Sequence, residues 1–182
     1  MPTDFCRPFQ TGEYHFIPLT VAHAATTFSL WQDPQLYRYT PIPGPYTLAE
    51  LEARFTRLER RSPADNPTEY WWNWFIEYTG EIVGLVEVTY LPTTPTAELA
   101  YYIFTPYQGR GLGTQAVKQT LDYLQQNVPL TQVTATVDAR NVASIKILTN
   151  NGFTQTASQR IVMKGEACTE LIFNKLVASP TV

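Results

Sequence analysis

The sequence is poor in the side chains that hold metals and form disulfides. It contains two cysteines, Cys6 and Cys168, and two histidines, His15 and His23, in 182 residues. These residues do not have the spacing of a metal motif, and two cysteines make no disulfide framework. We therefore expect no metal centre and no disulfide scaffold.

Long apolar runs and an excess of positive charge are also missing. No apolar stretch approaches the ~20 residues that a membrane span needs, and Met1–Cys6 has no basic segment leading into an apolar one, as a secretory signal would. The net charge is −3, whereas nucleic-acid-binding proteins usually carry a basic surface. We expect a cytoplasmic protein that binds neither membranes nor nucleic acid, and the negative charge mildly favours a cationic substrate such as an amine.

The chain has enough apolar residues to fold. Hydrophobic residues make up 44% of it and aromatic residues 13%, and its length suits a single domain, residues 1–182, with a sizeable core. We expect a monomer or a homodimer.

Strand-like and helical segments alternate along the chain. Thr47 and Glu50 form a capping-box sequence that opens one of the helices. The patterns predict helices at Thr20–Leu30, from Thr47 to Leu58, at Gln115–Gln126 and from Asn141 to Gly152. They predict strands at Tyr14–Leu19, Trp71–Tyr78, Ile82–Tyr90, Ala97–Phe104, Thr131–Val137, Phe153–Arg160 and Glu170–Leu176. This order fits a mixed α/β sheet with helices on both faces.

The most informative stretch is Thr105–Thr114, a glycine-rich turn between a predicted strand and a predicted helix. Such a turn directs unpaired backbone N–H groups, backed by the helix dipole, at one point and forms an anion site, most often for phosphate. Gly109, Gly111 and Gly113 remove Cβ atoms that would keep a pyrophosphate away from the backbone, and Arg110 adds a positive charge. We expect a phosphorylated cofactor.

Three cofactor sites compete for this pattern. A nucleotide P-loop requires a lysine that is absent here. A dinucleotide fingerprint fits Gly109 and Gly111, and Asp138 ends the next strand, but its third glycine would fall at Thr114. The third candidate is a coenzyme A pyrophosphate loop.

Two segments resemble the GNAT superfamily of N-acetyltransferases. Gln108–Gly113 matches the pyrophosphate motif Q/R-x-x-G-x-G/A, and Asp138–Phe153 is similar to a second signature with an asparagine, a serine three residues later and a closing Gly-Phe. The pair resembles the RimJ/RimL-like branch, which acetylates the N-termini of ribosomal proteins. The resemblance, which covers roughly Glu69 to Lys175, implies a GNAT-like mixed central sheet of about 6–7 strands.

The resemblance also implies an activity. A GNAT enzyme transfers an acetyl group from acetyl-CoA to a primary amine by direct attack in a ternary complex, without a metal. The acceptor implied first is a protein N-terminal α-amine, with small amines, including amino acids, polyamines and aminoglycosides, as the alternative. A GNAT-like module that binds acyl-CoA without turnover is a further alternative, because Leu148 stands where many GNAT enzymes have a catalytic tyrosine.

The roles of individual residues follow from the same resemblance. Glu98 is the candidate general base, with Glu87 as the reserve, and Ser144 is the candidate proton donor to the departing thiolate. The cofactor contacts implied are Asn141, the backbone of Ile103, Phe104 and Thr105, and the loop residues Gln108, Gly109, Arg110, Gly111, Leu112, Gly113 and Thr114.

Aromatic residues surround the same strands. We expect part of the set Trp71, Trp72, Trp74, Tyr101 and Tyr102 to fill the core. Tyr39 and Tyr46 lie in a proline-rich segment and are expected to line the acceptor cleft, since long loops in compact domains are often functional.

Overall fold

The computed structural model describes residues 5–64 and 68–177, and within them it contains one eight-stranded mixed sheet. Neighbouring strands are antiparallel except at one place, where β5 and β6 run parallel. In spatial order the strands are β1 (Phe9–Thr11), β2 (Tyr14–Pro18), β3 (Tyr70–Tyr78), β4 (Glu81–Leu91), β5 (Thr96–Ile103), β6 (Gln132–Asp138), β8 (Glu166–Leu176) and β7 (Thr154–Met163).

Helices cover both faces of this sheet, as predicted. α1 (His23–Thr27) and α2 (Leu48–Glu59) pack on one side, which we call the α2 face. α3 (Leu112–Asn127) and α4 (Val142–Asn150) pack on the other, the α3 face. Each face has its own core, built around Trp31, Phe55 and Phe75 on the α2 face and Trp74, Val117 and Leu124 on the α3 face.

Local sequence signals explain two of the helix starts. The Thr47 hydroxyl accepts a hydrogen bond from Glu50 N, and the Glu50 carboxylate accepts one from Thr47 N, which is the predicted capping box of α2. Asn141 caps α4 through its side-chain oxygen. At the other end of α4, Gly152 has a φ of 77°, which is the left-handed conformation expected of a glycine just after a helix.

Three predictions of the elements need correction. The sheet has eight strands rather than 6–7, because Phe9–Thr11 forms a short hairpin with β2 that three residues could not signal. The helix predicted at Thr20–Leu30 is a five-residue α1 followed by a 3₁₀ turn, since Thr20 bonds the His23 ring instead of capping a long helix. The last hairpin is longer than predicted and reaches Met163.

The parallel pair leaves an opening in the sheet. β5 and β6 pair over three positions in the described chain, Thr96–Glu98 opposite Gln132–Thr134. Beyond Glu98 and Thr134 the two strands continue without forming a ladder. We call this opening the β5–β6 gap. It faces the loop before α3 and the start of α4, and it positions the candidate site.

Among the described residues, no helix is both long and apolar enough to span a bilayer.

Candidate active site

The glycine-rich loop forms an open helix N-terminus. Gly111 is the N-cap of α3 with a φ of 76°, and no side chain in the described part of the chain caps the helix. Gly109 has a similar φ of 75°, and a Cβ built on either glycine would meet nothing within 4 Å. Because the first N–H groups of a helix have no intrahelical partners, this loop offers donors and free space to an anion.

Gly113 differs from the other two glycines because its missing side chain allows close packing. A Cβ at Gly113 would lie 2.8 Å from Ile147 Cδ1 and 3.1 Å from Ile103 Cγ1. The absent side chain therefore lets α3 pack closely against α4 and β5. At Gly113 the missing Cβ makes room for the side chains of Ile147 and Ile103, whereas at Gly109 and Gly111 it leaves free space.

Two longer side chains of the loop, those of Gln108 and Arg110, make different contacts. The Gln108 side chain donates from Nε2 to the carbonyl of Ile103 at 2.8 Å, which fastens the loop to the end of β5. Arg110 is exposed, with its guanidinium carbon 5.8 Å from the centre of the Tyr107 ring. Gln108 thus shapes the loop with its side chain, and Arg110 supplies charge at the loop surface.

The end of β5 carries an unsatisfied polar atom. The hydroxyl oxygen of Thr105 is buried and has no hydrogen-bond partner in the described structure. Phe104, just before it, is fully buried and donates its N–H to the carbonyl of Val83. A buried hydroxyl without a partner costs free energy unless a ligand or water satisfies it, so Thr105 fits a ligand-binding position between β5 and the glycine loop.

Ser144 is paired with a tyrosine across the β5–β6 gap. Its hydroxyl oxygen lies 2.8 Å from the Tyr101 hydroxyl, which also donates to the Ser144 carbonyl at 3.2 Å. Burial raises the pKa of Tyr101 to about 12, although its hydrogen bond to Ser144 acts in the opposite direction. Tyr101 is therefore a neutral donor at physiological pH.

Ser144 lies in the first turn of α4, next to the residue that caps this helix. Its backbone N–H donates to the Asn141 side-chain oxygen at 3.1 Å, so the amide nitrogen of Asn141 is left for another partner. Leu148, where many GNAT enzymes have a tyrosine, is buried in the α3-face core. Sequence reasoning did not pair Tyr101 with Ser144, since 43 residues separate them and only the fold brings them together.

Glu98 lies where the gap begins. It is the last residue of β5 paired to β6, opposite Thr134, and it faces Thr89 of β4 on its other side. Its side chain is exposed on the α2 face. A carboxylate there can accept a proton from a molecule approaching the gap from that face.

Glu87, the reserve base, has a partner of its own. Its carboxylate forms a short ion pair with the guanidinium of Arg54 from α2, and both side chains are largely buried. Burial alone would lower the pKa of Arg54, but the charge of Glu87 and the nearby Tyr46 and Tyr102 reverse this and raise it. Glu87 is therefore held as a charge partner, whereas Glu98 has no ion pair among the described residues.

Asp138, which a dinucleotide site would use to bind a ribose, is also occupied. Arg140 donates to it from its backbone N–H and from its guanidinium, at distances of 2.7–3.2 Å. These hydrogen bonds lower the pKa of the buried Asp138 carboxyl despite its burial. The antiparallel strands on both sides of the β5–β6 pair are likewise not those of a dinucleotide-binding sheet.

The aromatic residues divide between core and cleft. Trp72 and Trp74 are buried in the α3-face core, as expected, whereas Trp71 lines a cavity on the α2 face. Tyr46 accepts a hydrogen bond from Arg54 at 3.4 Å, next to that cavity. Among the described residues, no group of three or more His, Cys, Asp or Glu side chains could hold a metal ion.

Comparison with known families identifies the fold. Residues 15–154 match the family described as the acetyltransferase (GNAT) domain. The chain belongs to the GNAT acetyltransferase family. The resemblance predicted from the glycine loop and the second signature is thereby confirmed, and members of this family use acetyl-CoA as the acetyl donor.

Individual GNAT relatives have low sequence identity to this chain. The chain is 27% identical over 110 residues to the probable N-acetyltransferase YjcK of Bacillus subtilis (strain 168), an alignment that covers 59% of this chain and 60% of that protein. The chain thus matches less than two thirds of the length of this curated relative.

Solved GNAT structures share the fold over nearly the whole chain. RimL, a ribosomal L7/L12 α-N-protein acetyltransferase in complex with coenzyme A, superposes with a TM-score of 0.81 at 13% identity, covering 94% of this chain and 98% of its own. Spermidine N-acetyltransferase from Vibrio cholerae, in complex with CoA and spermine, gives 0.76 at 17% identity, with coverage of 92% and 97%. These two enzymes act on different amines, so the shared fold leaves the acceptor open.

Proposed function

We propose that this GNAT protein transfers the acetyl group of acetyl-CoA directly to a primary amine, and that the amine is a protein N-terminal α-amine. The observation that carries the proposal is the uncapped N-terminus of α3, open at Gly109 and Gly111, beside the β5–β6 gap. An anion site adjoining an opening in the sheet suits a cofactor with a pyrophosphate at one end and a reactive thioester at the other.

The residues around the gap fit acetyl-CoA. The pyrophosphate would lie against the backbone of the glycine loop, and the pantetheine arm would satisfy Thr105 Oγ1 and the free amide nitrogen of Asn141. Bound there, the cofactor supplies an activated acetyl group and a thiolate leaving group. The full set of proposed contacts is Ile103, Phe104, Thr105, Gln108, Gly109, Arg110, Gly111, Leu112, Gly113, Thr114 and Asn141, with Gln108 and Gly113 acting by shaping the loop.

Two protein side chains then assist the transfer, one as a base and one as a hydrogen-bond donor. Glu98 takes the proton that the amine loses as its nitrogen bonds to the acetyl carbon. An N-terminal amine has a pKa near 8, against about 10.4 for lysine, so it needs little help from a base. As the carbon–sulfur bond breaks, Ser144 donates a hydrogen bond to the departing sulfur, and the neutral Tyr101 hydroxyl supports Ser144.

Two alternatives remain distinct from this proposal. A small amine is the alternative acceptor, and a non-catalytic acyl-CoA-binding module is the alternative class of protein. The free position of Glu98 and the Tyr101–Ser144 pair favour catalysis over a binding module, because a module needs neither a base nor a proton donor.

The proposal is tested in two steps. Thermal unfolding with acetyl-CoA, CoA, NAD and NADP should show stabilisation by the first two alone, about 2.7 kcal/mol at 100 times the dissociation constant. Release of free CoA is then measured with N-terminal peptides, spermidine and free amino acids as acceptors. Stabilisation by NAD but not by CoA would overturn the cofactor assignment, and turnover of spermidine alone would overturn the acceptor assignment.

A further inference from the structure

A cavity of about 340 Å³ lies between α2 and the α2 face of the sheet. α2 contributes Arg54, Arg57 and Leu58, and the strands β3 and β4 contribute the remaining side chains, which are Trp71, Asn73, Glu87 and Thr89. The cavity is as large as the smaller ligand pockets of proteins. It lies on the same face of the sheet as Glu98, because Thr89 and Glu98 are directly opposite each other on β4 and β5.

Two buried hydrogen-bond donors at this cavity have no partner. Asn73 is 4% exposed, and its amide nitrogen makes no hydrogen bond within the described chain. The Nε atom of Arg54 is likewise buried and unpaired. Leaving a buried donor unsatisfied costs free energy, so a ligand that presents oxygen atoms here would bind where the protein itself lacks acceptors.

The charges around the cavity favour a negative ligand. Glu87 is already paired with Arg54, and the Arg57 guanidinium has no ion-pair partner among the described residues. The indole N–H of Trp71 donates to Glu69 at 2.7 Å and is not available, whereas Thr89 adds a hydroxyl group to the wall. The lining therefore offers two unused donors and one unpaired positive charge, whereas a polyamine would bring positive charge next to Arg57.

The distance from Glu98 limits what the ligand can be. Residues directly opposite on antiparallel strands have Cβ atoms about 5 Å apart, so Thr89 at the cavity wall is adjacent to the proposed base. An amine at Glu98 and a group in the cavity can thus belong to one small molecule or to consecutive residues of one peptide.

We propose that this cavity binds a carboxylate of the acceptor, held by Asn73, Arg54 and Arg57, while the acceptor amine lies at Glu98. This inference rests on the proposed amine acetylation and defines its substrate class as amines that carry a carboxylate close by. The carboxylate belongs either to an acidic side chain early in a peptide or to the α-carboxyl group of a free amino acid.

Matched acceptor pairs distinguish these sources. Peptides beginning Ala-Asp are compared with Ala-Asn peptides of otherwise identical sequence, and alanine is compared with alaninamide. Affinity for the CoA-loaded protein is measured by calorimetry, and kcat/KM by release of free CoA. We expect the carboxylate member of one pair to bind about tenfold more tightly, the scale of a hydrogen bond to a charged group.

Three variants connect the preference to the cavity. Arg57→Gln removes the unpaired charge and should reduce the tenfold ratio to less than threefold, whereas Arg60→Gln, an exposed arginine outside the cavity, should leave it unchanged. Asn73→Ala should also reduce the ratio, because it removes the unpaired amide nitrogen from the cavity wall.

The outcomes separate the two proposals. Equal affinity within both pairs, or an equal effect of Arg57→Gln and Arg60→Gln, overturns the carboxylate site even if all the amines are acetylated. A preference for the carboxylate that depends on Arg57, without acetylation of any amine, supports the site and overturns the proposed activity.

Discussion

The hydroxyl oxygens of Tyr101 and Ser144 lie 2.8 Å apart and join β5 to the first turn of α4 across the β5–β6 gap. Tyr101 stays protonated because burial raises its pKa to about 12. The pair therefore places two hydroxyl groups next to the start of α4, in a chain whose Leu148 stands where many GNAT enzymes have a catalytic tyrosine.

Removing either hydroxyl of this pair should slow turnover to a similar degree. We expect Ser144→Ala and Tyr101→Phe each to lower kcat by about tenfold, which is less than the usual loss of a general acid because a thiolate leaves tolerably well unaided. The double variant should be little worse than either single variant, since groups that act as a unit are not additive. Normal kcat with weaker acetyl-CoA binding in Ser144→Ala would make Ser144 a cofactor contact instead.

Replacing the free carboxylate should affect catalysis more than binding. Glu98→Gln should lower kcat by roughly 10²–10⁴ and leave acetyl-CoA affinity nearly unchanged. The deficit should shrink as pH rises from 7 to 9, because more of the acceptor amine is already deprotonated. Glu87→Gln is the comparison variant, since it breaks the pair with Arg54 and should mainly reduce stability. A near-normal rate for Glu98→Gln at pH 7 would contradict the assignment of the base.

The two kinds of glycine in the loop should respond differently to substitution. Gly111→Asp places a negative charge at the open N-terminus of α3 and should weaken acetyl-CoA binding by more than tenfold, in addition to the stability lost by placing a side chain at a φ of 76°. Gly113→Ala should instead lower stability with or without cofactor, because its Cβ would lie 2.8 Å from Ile147. Thermal unfolding with and without CoA separates these effects, and a Gly113→Ala protein with wild-type stability would contradict the packing role.

Stability should decline at alkaline pH. Burial raises the pKa values of Tyr37 and Tyr101 to about 12, whereas an unfolded tyrosine ionises near 10. The contribution of these two tyrosines to the free energy of unfolding is complete below pH 10. It is lost as pH rises towards 12, because the unfolded chain then releases protons that the folded protein keeps. The slope is at most about 1.4 kcal/mol per pH unit for each tyrosine. Urea unfolding between pH 8 and 11 should show a shallower decline for Tyr101→Phe than for the wild type.

Much of the fold and the family could be predicted because their signals are local. The capping box at Thr47 and Glu50, the glycine loop and the Asn141 cap each depend on residues a few positions apart. The second hairpin, β3 with β4, was predicted to within a residue at each end because Thr79–Glu81 is a strong turn signal between two β-rich runs.

The contacts that shape the candidate site were not predictable in the same way. Arg54 meets Glu87 from 33 residues away, and Tyr101 meets Ser144 from 43. No local sequence pattern predicts either pair, since each pairing depends on how a helix lies on the sheet. The packing of Gly113 against Ile147 was not predictable for the same reason, because the position of the Ile147 side chain is a property of the packed structure.

The sheet has two parts, which are joined by only three paired positions between β5 and β6 in the described chain. Hydrogen bonds join β1 to β5 into one plate and β6 to β8 into another, and the plates share a short edge at Thr96–Glu98 and the α3-face core. Native-state hydrogen exchange is sensitive to such a division, because within the described residues the two strands form no ladder beyond Glu98 and Thr134. A ligand bound in the β5–β6 gap would contact both parts of the sheet. The rigidity of the whole sheet therefore depends on whether the gap is occupied.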